Sequence, residues 1–331
     1  MPAMIETINL CKEYGELVAL NNLNLTIQEG DCFGFIGPNG AGKTTTIKIL
    51  ATLLKPTRGQ AMINGLTVGY QNRQIRPIIG YVPDFMGAYE DMVVTEYLEF
   101  FAATYGIHGS KRAQVVKDVL ELTDLSYKAS AEVNSLSRGM QQRLSVARVL
   151  LHDPKVLLMD EPASGLDPRA RIEMRELLKE LKRMGKTIII SSHILPELAE
   201  ICNVVGIIEK GNLIFSGSVR EIMKRARLEH TLLVVVGERT EDAANLLQTV
   251  PGVKRVGIGE EAAPAFAGAV NGVAVGGRRP VIQVAFEESA LSQASDIPSR
   301  LVNAGFRVLR FTEEEVNLET AFMRLTQGLV Q

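Results

Sequence analysis

Cysteine is scarce in this sequence. Cys11, Cys32 and Cys202 are its three cysteines among 331 residues, and they lie far apart along the chain. An odd number of cysteines at such spacings fits neither a disulfide framework nor a metal site. We therefore expect a reducing, cytoplasmic setting.

Long apolar runs and an excess of one charge are also absent. No run approaches the roughly 20 residues needed to cross a bilayer. The opening segment MPAMIETINLCKEYG lacks a basic region followed by an apolar one, so no signal peptide is expected. A net charge of −2 and the lack of a long Lys/Arg run give no reason to expect nucleic acid. We expect a soluble chain whose membrane role, if it has one, comes through a partner.

The order of predicted elements divides the chain into two domains, 1–227 and 228–331. In the first, strand-like and helix-like segments alternate, which is typical of an α/β layered domain. Its predicted helices are 44–54, 94–105, 111–122, one that begins at Ser137, and 168–183. In the second, strand, helix and strand occur twice, and this βαββαβ order suggests a small ferredoxin-like α+β domain, with loop-heavy alternatives open. The Ala/Gly-rich stretch 261–277 between the repeats predicts a loop or a ragged hairpin.

A glycine-rich loop follows the short buried strand DCFGFIG. Residues 37–45, GPNGAGKTT, match G-x-x-x-x-G-K-[ST] between a strand and a helix. Gly37, Gly40 and Gly42 let the backbone N–H groups curl around phosphate oxygens. Lys43 supplies positive charge to the β/γ-phosphates, and the Thr44 hydroxyl suits Mg²⁺ at the helix N-terminus. The alternative is a plain glycine turn before a helix, but the context favours nucleotide binding.

Two acidic residues end another buried strand. KVLLMDEP places Asp160 and Glu161 at its carboxyl end, where α/β sheets bind ligands. Asp160 is predicted to hold Mg²⁺ through water, and Glu161 to polarise an attacking water as a general base. His193 ends the next buried strand, TIIISS, where it is predicted to touch the γ-phosphate or position the water. The alternatives are a solvated strand end and a structural histidine.

A further helix is predicted to begin within NSLSRGMQQRLSVARVLL. Ser137 is predicted to cap it, and Met140, Leu144, Ala147 and Leu151 form one apolar stripe. The hydroxyl and the following glycine leave a helix N-terminus that attracts anions, yet no phosphate motif lies next to it.

With these motifs together, residues 1 to about 227 resemble the ATP-binding subunit of an ABC transporter, in particular the ABC-2-type exporter group. The resemblance implies a P-loop ABC ATPase domain with a RecA-like core, an antiparallel β subdomain and a helical signature subdomain. It implies that ATP hydrolysis powers export, with ATP and Mg²⁺ as cofactors. Lys43, Glu161 and His193 would be catalytic, and Asp160 the Mg²⁺ aspartate.

The resemblance also implies which anion binds at the N-terminus of the helix that begins at Ser137. LSRGMQQR is similar to the family signature LSGGQxxR, whose helix end binds the γ-phosphate of ATP held by a second copy. The family dimerises head-to-tail with two ATP molecules between the subunits. Ser137 and Gly139 would contact that phosphate, and Asp167 of SGLD matches the loop that crosses to the other subunit.

Further ATP contacts are implied by the same resemblance. An aromatic residue near the N-terminus stacks on adenine in the family; Tyr14 fits, with Val18 beside it. The phosphate-loop contacts carry over to Gly37, Pro38, Asn39, Gly40, Ala41, Gly42, Lys43, Thr44 and Thr45.

The sequence departs from the family pattern in two places. Arg138 and Met140 replace the first glycine and the glutamine of the signature, as is familiar in ABC-2-type subunits, and Arg138 adds charge. Asp84 replaces a glutamine that touches Mg²⁺ and the attacking water. Aspartate can ligate Mg²⁺, directly or through water, but cannot donate a hydrogen bond as the amide does. We hypothesise slower turnover or tighter dependence on the partner.

The predicted partners are a second ATPase copy or homologue and a polytopic membrane subunit, contacted through about Phe85–Phe101 at the cytoplasmic face; no nucleic acid is expected. Exporters of this class often end in a pattern like VNLETAFMRLT, here 316–326, which otherwise reads as a plain amphipathic helix. The alternative functions are a soluble ABC ATPase acting on a non-membrane target and a regulatory ATP-binding module with little hydrolysis.

Overall fold

The computed structural model describes residues 3–85, 87, 92–192, 195–221, 229–262, 278–287 and 295–314. The chain divides into two compact units, Met1–Arg220 and Glu221–Gln331. The predicted boundary after residue 227, most of the stretch 261–277, and the segment 316–326 lie outside the described residues.

The first unit contains an antiparallel sheet in the order β2-β1-β4-β5. Its strands are β1 (Ala3–Tyr14), β2 (Leu17–Gln28), β4 (Arg58–Ile63) and β5 (Leu66–Thr67). Apolar side chains at Leu23, Leu25 and Ile27 alternate with exposed polar ones along β2, so one face of the sheet packs inward. This sheet is the antiparallel β subdomain expected from the resemblance.

A six-stranded sheet forms the centre of the same unit, in the order β10-β9-β3-β8-β7-β6. Its strands are β3 (Cys32–Ile36), β6 (Ile79–Val82), β7 (Val156–Asp160), β8 (Thr187–Ser192), β9 (Val204–Glu209) and β10 (Asn212–Ser218). All but β10 run parallel, and every residue of β3, β7 and β8 is buried. The predicted α/β fold is confirmed, and the carboxyl ends of β3, β6, β7 and β8 meet at one edge.

Helices flank these sheets. They are α1 (Lys43–Leu50), α2 (Asn72–Ile75), α3 (Val94–Thr104), α4 (Gly109–Leu122), α5 (Arg138–Leu150), α6 (Pro168–Arg183) and α7 (Leu195–Ile201). The bounds predicted for α6 are confirmed, and those for α3 and α4 agree to within two residues. None of the helices in the described part of the chain is long and apolar enough to span a bilayer.

Helix α1 is shorter than the predicted 44–54. Thr52 adopts a left-handed conformation (φ 62°) and donates its N–H to the carbonyl of Ile49, while Leu53 N–H donates to that of Lys48, both at 2.9 Å. These two bonds form a Schellman motif, which ends the helix well before the proline of PTRG. The extent of this helix was therefore predicted wrongly.

The apolar core of the first unit lies between the two sheets and α1. Ile47, Ile49 and Leu50 of α1 are fully buried there. Each such side chain stabilises the fold by about 1.5–3 kcal/mol. The core also includes Ile5, Leu10, Leu20, Leu23, Ile27, Phe33, Phe35 and Ile63. The helix that follows the glycine-rich loop is thus fixed rigidly beneath it.

The β9–β10 hairpin turns at Lys210 (φ 46°) and Gly211 (φ 79°). Gly211 donates its N–H to the carbonyl of Ala41 in the glycine-rich loop and accepts from the N–H of Asn21 in β2, both at 2.9 Å. The hairpin turn therefore contacts both the glycine-rich loop and the antiparallel sheet.

Cys32 and Cys202 come together although 170 positions separate them. Their sulfur atoms lie 3.6 Å apart in the core, and all three cysteines are free thiols. Burial, reinforced by the neighbouring Cys32 thiol, raises the pKa of Cys202 well above its usual value. Cys202 is therefore a packed, protonated thiol.

His152 provides a test of pH-dependent stability. Its Nε2 lies 2.9 Å from the carbonyl oxygen of Ile79, so this nitrogen carries the hydrogen, and its ring packs against Tyr105. Burial lowers the pKa of His152, outweighing the opposing effect of that hydrogen bond. Because the unfolded chain binds the proton first, this group costs stability as pH falls below about 6.5.

We expect His152→Gln, which keeps an amide donor for Ile79, to flatten the dependence of the free energy of unfolding on pH below about 6.5. Urea unfolding at pH 5.5 and 7.5 measures it, with exposed His108→Gln as the control. Equal pH dependence in wild type and His152→Gln would contradict the assignment.

The second unit is a four-stranded antiparallel sheet with two helices. Its elements are β11 (Glu229–Val236), α8 (Thr240–Gln248), β12 (Val253–Ala262), β13 (Arg278–Glu287), α9 (Ile297–Asn303) and β14 (Val308–Glu313). The strand order β12-β13-β11-β14 is that of a ferredoxin-like domain, as predicted. Its core contains Val234, Leu247, Val284, Phe286 and Leu301.

Candidate functional site

The glycine-rich loop runs from the end of β3 to the start of α1. A Cβ atom added to Gly37 would lie 2.2 Å from the carbonyl oxygen of Ile208, and one added to Gly42 would lie 2.7 Å from that of Ala19. Gly42 also has a φ of 111°, which L side chains rarely adopt. The curvature of the loop therefore depends on glycine at both positions.

Lys43 lies at the centre of this loop. Its buried Nζ donates to the carbonyl oxygens of Gly37 (2.7 Å) and Pro38 (3.2 Å) and forms an ion pair with Glu161 Oε1 at 3.3 Å. The ammonium group thus joins the loop to the acidic end of β7. Any phosphate that binds the loop competes with this carboxylate for the charge of Lys43.

Asp160 is buried in a small network of hydroxyl groups. Thr44 Oγ1 donates to Asp160 Oδ1 at 3.0 Å, and Ser191 Oγ donates to the same oxygen at 2.7 Å. Ser191 Oγ in turn accepts from the N–H of Glu161 at 2.9 Å. Sequence reasoning missed Ser191; the signal for it is the parallel pairing of Asp160 with Ser191 across β7 and β8.

Thr44 and Asp160 fit a magnesium site. Both present hard oxygen donors beside the loop, the kind of ligand that Mg²⁺ takes together with water and substrate phosphates. In the described residues, no group of three or more His, Cys, Asp or Glu side chains could hold a metal by itself. Phosphate oxygens and water would therefore complete the coordination.

A cleft of 590 Å³ opens above the loop. Half-exposed Tyr14 lies at its edge, with Lys12 Nζ 4.9 Å from the ring centroid. Of the predicted residues, the cleft gathers Tyr14, Pro38, Asn39, Gly40, Ala41, Gly42, Lys43, Thr44, Thr45, Asp84, Asp160 and Glu161. Leu17 and Ala19, rather than the predicted Val18, line its wall, because alternate side chains of a strand face opposite sides.

Tyr81 also borders the cleft and was not found by sequence reasoning. Burial, together with the smaller effects of the charges of Asp160 and Asp84, raises the pKa of Tyr81 to about 12. The phenol therefore keeps its proton at physiological pH. Tyr81, Asp84 and Asp160 line the same cleft.

The start of α5 lines a separate cleft of 290 Å³. Ser137 caps the helix by accepting from Met140 N–H at 3.4 Å, and Asp167 caps α6 by accepting from Ala170 N–H at 2.9 Å. Gly139 faces Ala170 so closely that a Cβ would lie 2.6 Å from it. Ser137, Gly139 and Asp167 line this second cleft, which shares no lining residue with the first.

Arg143 fixes the orientation of α5 and was missed by the sequence analysis. Its buried guanidinium pairs with Asp124 and Glu173, each at 3.2 Å, and donates to the carbonyl of Thr123 at 3.1 Å. A buried arginine with these partners is costly to disturb. The position of the second cleft is therefore set by a rigid helix start.

The two departures from the family pattern contact each other. Arg138 Nη2 lies 3.5 Å from Asp84 Oδ1, across the start of α5 and the loop after β6. His193, predicted at the end of β8, lies outside the described residues.

Comparison with known proteins gives consistent results. The family described as ABC transporter matches residues 20–164. The chain is 41% identical over 223 residues to a Nod factor export ATP-binding protein of Cupriavidus metallidurans, covering 67% of this chain and 74% of that protein. It is 34% identical to a bacitracin transport ATP-binding protein of Bacillus licheniformis, covering 99% of both.

Solved structures agree with these relatives. An ATP-binding subunit of an ABC transporter superposes with a TM-score of 0.61 at 29% identity, covering 67% of this chain and 92% of that one. A dimeric ATP-binding cassette in a post-hydrolysis state, bound to ADP and Pi, superposes with a TM-score of 0.60 at 28% identity, covering 66% and 99%.

Proposed function

Because the chain belongs to the ATP-binding subunits of ABC transporters, we propose that it powers an exporter as a head-to-tail dimer with two ATP molecules between the subunits. Binding and hydrolysis of ATP follow from the family. The single observation that supports the dimer is the separation of the two clefts. Ser137 and Gly139 do not line the cleft of their own phosphate loop, so an anion bound at the start of α5 would come from a second copy.

Each of the residues of the first cleft has its own role in ATP binding or hydrolysis. Lys43 and the loop N–H groups stabilise negative charge on the phosphates, and Thr44 and Asp160 would hold Mg²⁺. When bound there, Mg²⁺ neutralises charge that develops on the transferred phosphoryl group. As Lys43 turns to the phosphates, its ion pair with Glu161 weakens, and the Glu161 carboxylate polarises the attacking water. His193 would complete the site by sensing the γ-phosphate.

We infer the direction of transport and the membrane partner from the names of the relatives. Two relatives carry Nod factor export and bacitracin transport in their names, and both names refer to a transported molecule and not to a ribosome or DNA target. We place the chain at the cytoplasmic face of the membrane, where Phe85–Phe101 would contact a polytopic subunit. Phe85 and Phe100 are exposed aromatic residues within the described part of that range, as a docking face requires.

Site-specific crosslinking tests this arrangement. A photoreactive phenylalanine analogue at Phe85 is expected to yield an adduct with a polytopic membrane protein in intact cells. The same analogue at Tyr70, which is even more exposed but lies in the antiparallel subdomain, is expected to yield none. Adducts only with ribosomal or DNA-bound proteins would overturn the exporter proposal in favour of the soluble alternative.

Replacement of Asp84 tests the effect of the missing amide. We expect Asp84→Gln to raise Mg²⁺-dependent ATP turnover by about threefold to tenfold, the scale of a barrier change of roughly 0.6–1.4 kcal/mol, because the amide can donate to the attacking water. Steady-state phosphate release over a range of Mg²⁺ concentrations measures it. An unchanged rate with unchanged Mg²⁺ dependence would contradict the hypothesis.

A further inference from the structure

We propose that Arg138 is a positioning residue that exchanges one anionic partner for another. In the separate subunit it pairs with Asp84 of its own chain. In the closed dimer it turns to the terminal phosphate of the ATP bound by the second copy and releases Asp84 toward the magnesium site of its own cleft. The inference rests on the head-to-tail dimer proposed above.

The Arg138–Asp84 contact is suited to exchange because it is weak. The two groups are 3.5 Å apart, and their side chains are 54% and 51% exposed. An ion pair this exposed favours the paired over the separated arrangement of its side chains by about fivefold at most, because water competes for both charges. A terminal phosphate carries more negative charge than one carboxylate and accepts two parallel guanidinium bonds, so it outcompetes Asp84.

Arg138 is held where such an exchange is possible. It is the first residue of α5, next to the capping Ser137 and Gly139 that line the second cleft. Its guanidinium lies flat on Gly165, where an added Cβ would be 2.8 Å from both Cζ and Nη1. Gly165 has a φ of 66° and belongs to the segment between Glu161 and α6. Arg138 therefore contacts both the loop of Asp84 and the loop that leads to Asp167.

Asp84 lies where the loss of its ion pair with Arg138 changes the charge of the phosphate cleft. It lines the phosphate cleft together with Asp160 and Glu161. In the separate subunit each of these three acids has a different partner: Glu161 pairs with Lys43, Asp160 accepts from two hydroxyl groups, and Asp84 pairs with Arg138. When Arg138 leaves, Asp84 is the carboxylate whose charge is freed beside the oxygen ligands for Mg²⁺.

A second contact keeps the loop and the helix together during the exchange. One turn into α5, the buried Gln142 donates from Nε2 to the carbonyl of Pro83 at 3.3 Å. This bond is uncharged and does not depend on Arg138. Opening of the ion pair therefore changes the electrostatics of the cleft while the loop of Asp84 stays attached to α5.

A double-mutant cycle tests the exchange. All variants carry Glu161→Gln so that hydrolysis does not empty the site, and the dimer dissociation constant is measured by light scattering in saturating Mg-ATP. The cycle consists of the parent, Asp84→Asn, Arg138→Gln and the double variant. Arg183→Gln removes an arginine of similar exposure from an ion pair at the far end of α6 and serves as the matched control.

We expect Asp84→Asn to lower the dimer dissociation constant by about 2- to 25-fold, because the Arg138–Asp84 ion pair of each subunit must open when the dimer closes. Arg138→Gln should weaken it at least tenfold, and in that background Asp84→Asn should have no further effect. Arg183→Gln should match the parent. As a second readout, Arg138→Gln should raise the apparent Mg²⁺ affinity of the ATP-bound monomer, since Asp84 is then free.

The outcomes separate the two proposals. A parent that dimerises, with equal effects of Asp84→Asn in both backgrounds, would overturn the exchange but leave the dimer. Unchanged dimerisation of Arg138→Gln would do the same. A parent that remains monomeric in Mg-ATP would overturn the dimer itself and, with it, the exchange.

Discussion

Glu161→Gln is expected to lower ATP turnover by at least a hundredfold while ATP binding is retained. A positioned general base typically contributes about 10²- to 10⁴-fold, and glutamine has the same shape but cannot take up the proton. Glu161 adopts a left-handed conformation (φ 50°), and its N–H is fixed by Ser191. These features aim the side chain at Lys43 and the cleft, and the substitution leaves them in place.

The variant should also accumulate as a dimer in Mg-ATP but not in Mg-ADP, because the sandwich no longer empties by hydrolysis. Phosphate release, equilibrium nucleotide binding and size-exclusion light scattering measure the three effects. Glu180→Gln, which removes an exposed carboxylate from α6, is the control and should retain wild-type turnover. Turnover of Glu161→Gln above a tenth of wild type would exclude Glu161 as the general base.

Lys43→Ala is expected to weaken ATP binding by about 10- to 150-fold. Charge-assisted hydrogen bonds contribute about 1.5–3 kcal/mol each, and a lysine in this loop makes at least one to the phosphates. Titration with a fluorescent ATP analogue measures the loss. Lys48→Ala removes a positive charge from the border of the same cleft, one turn further along α1, and should change the affinity less than threefold.

The same substitution has a second effect in the absence of nucleotide. It removes the Lys43 ammonium from its ion pair with the largely buried Glu161 carboxylate, and breaking such a pair destabilises a folded protein. The melting temperature of Lys43→Ala should therefore fall, and Lys43→Ala/Glu161→Gln should regain part of the loss. A double variant that melts no higher than Lys43→Ala would contradict a stabilising role for this pair.

Much of the fold and part of the site were predictable because their signals are local. The phosphate loop, the strand ending at Asp160 and the ferredoxin-like order of the tail follow from short motifs and hydrophobic periodicity. The end of α1 at Leu50 was missed because the left-handed conformation of Thr52, which stops the helix, carries no such signal. The choice of Leu17 and Ala19 over Val18 depends on which face of β2 turns toward the cleft.

The rest of the site depends on contacts between distant segments. The register between β7 and β8 brings Ser191 to Asp160. Tyr81 is partly buried near the charge of the same carboxylate. Arg138 contacts Asp84 although 54 positions separate them. No single stretch of sequence encodes such a pairing. Arg138 and Asp84 are each visible in the sequence as a departure from the family pattern, but only the structure shows that their opposite charges are partners.

The hairpin turn at Gly211 has a consequence for local unfolding. Its backbone forms hydrogen bonds with Ala41 on one side and with Asn21 on the other, so neither the phosphate loop at Ala41 nor β2 at Asn21 can open without breaking one of them. Amide hydrogen exchange should therefore report one cooperative opening for Gly211 and Asn21, with similar protection factors that rise together when ATP binds. A turn that never touches a phosphate would then sense whether the nucleotide is present.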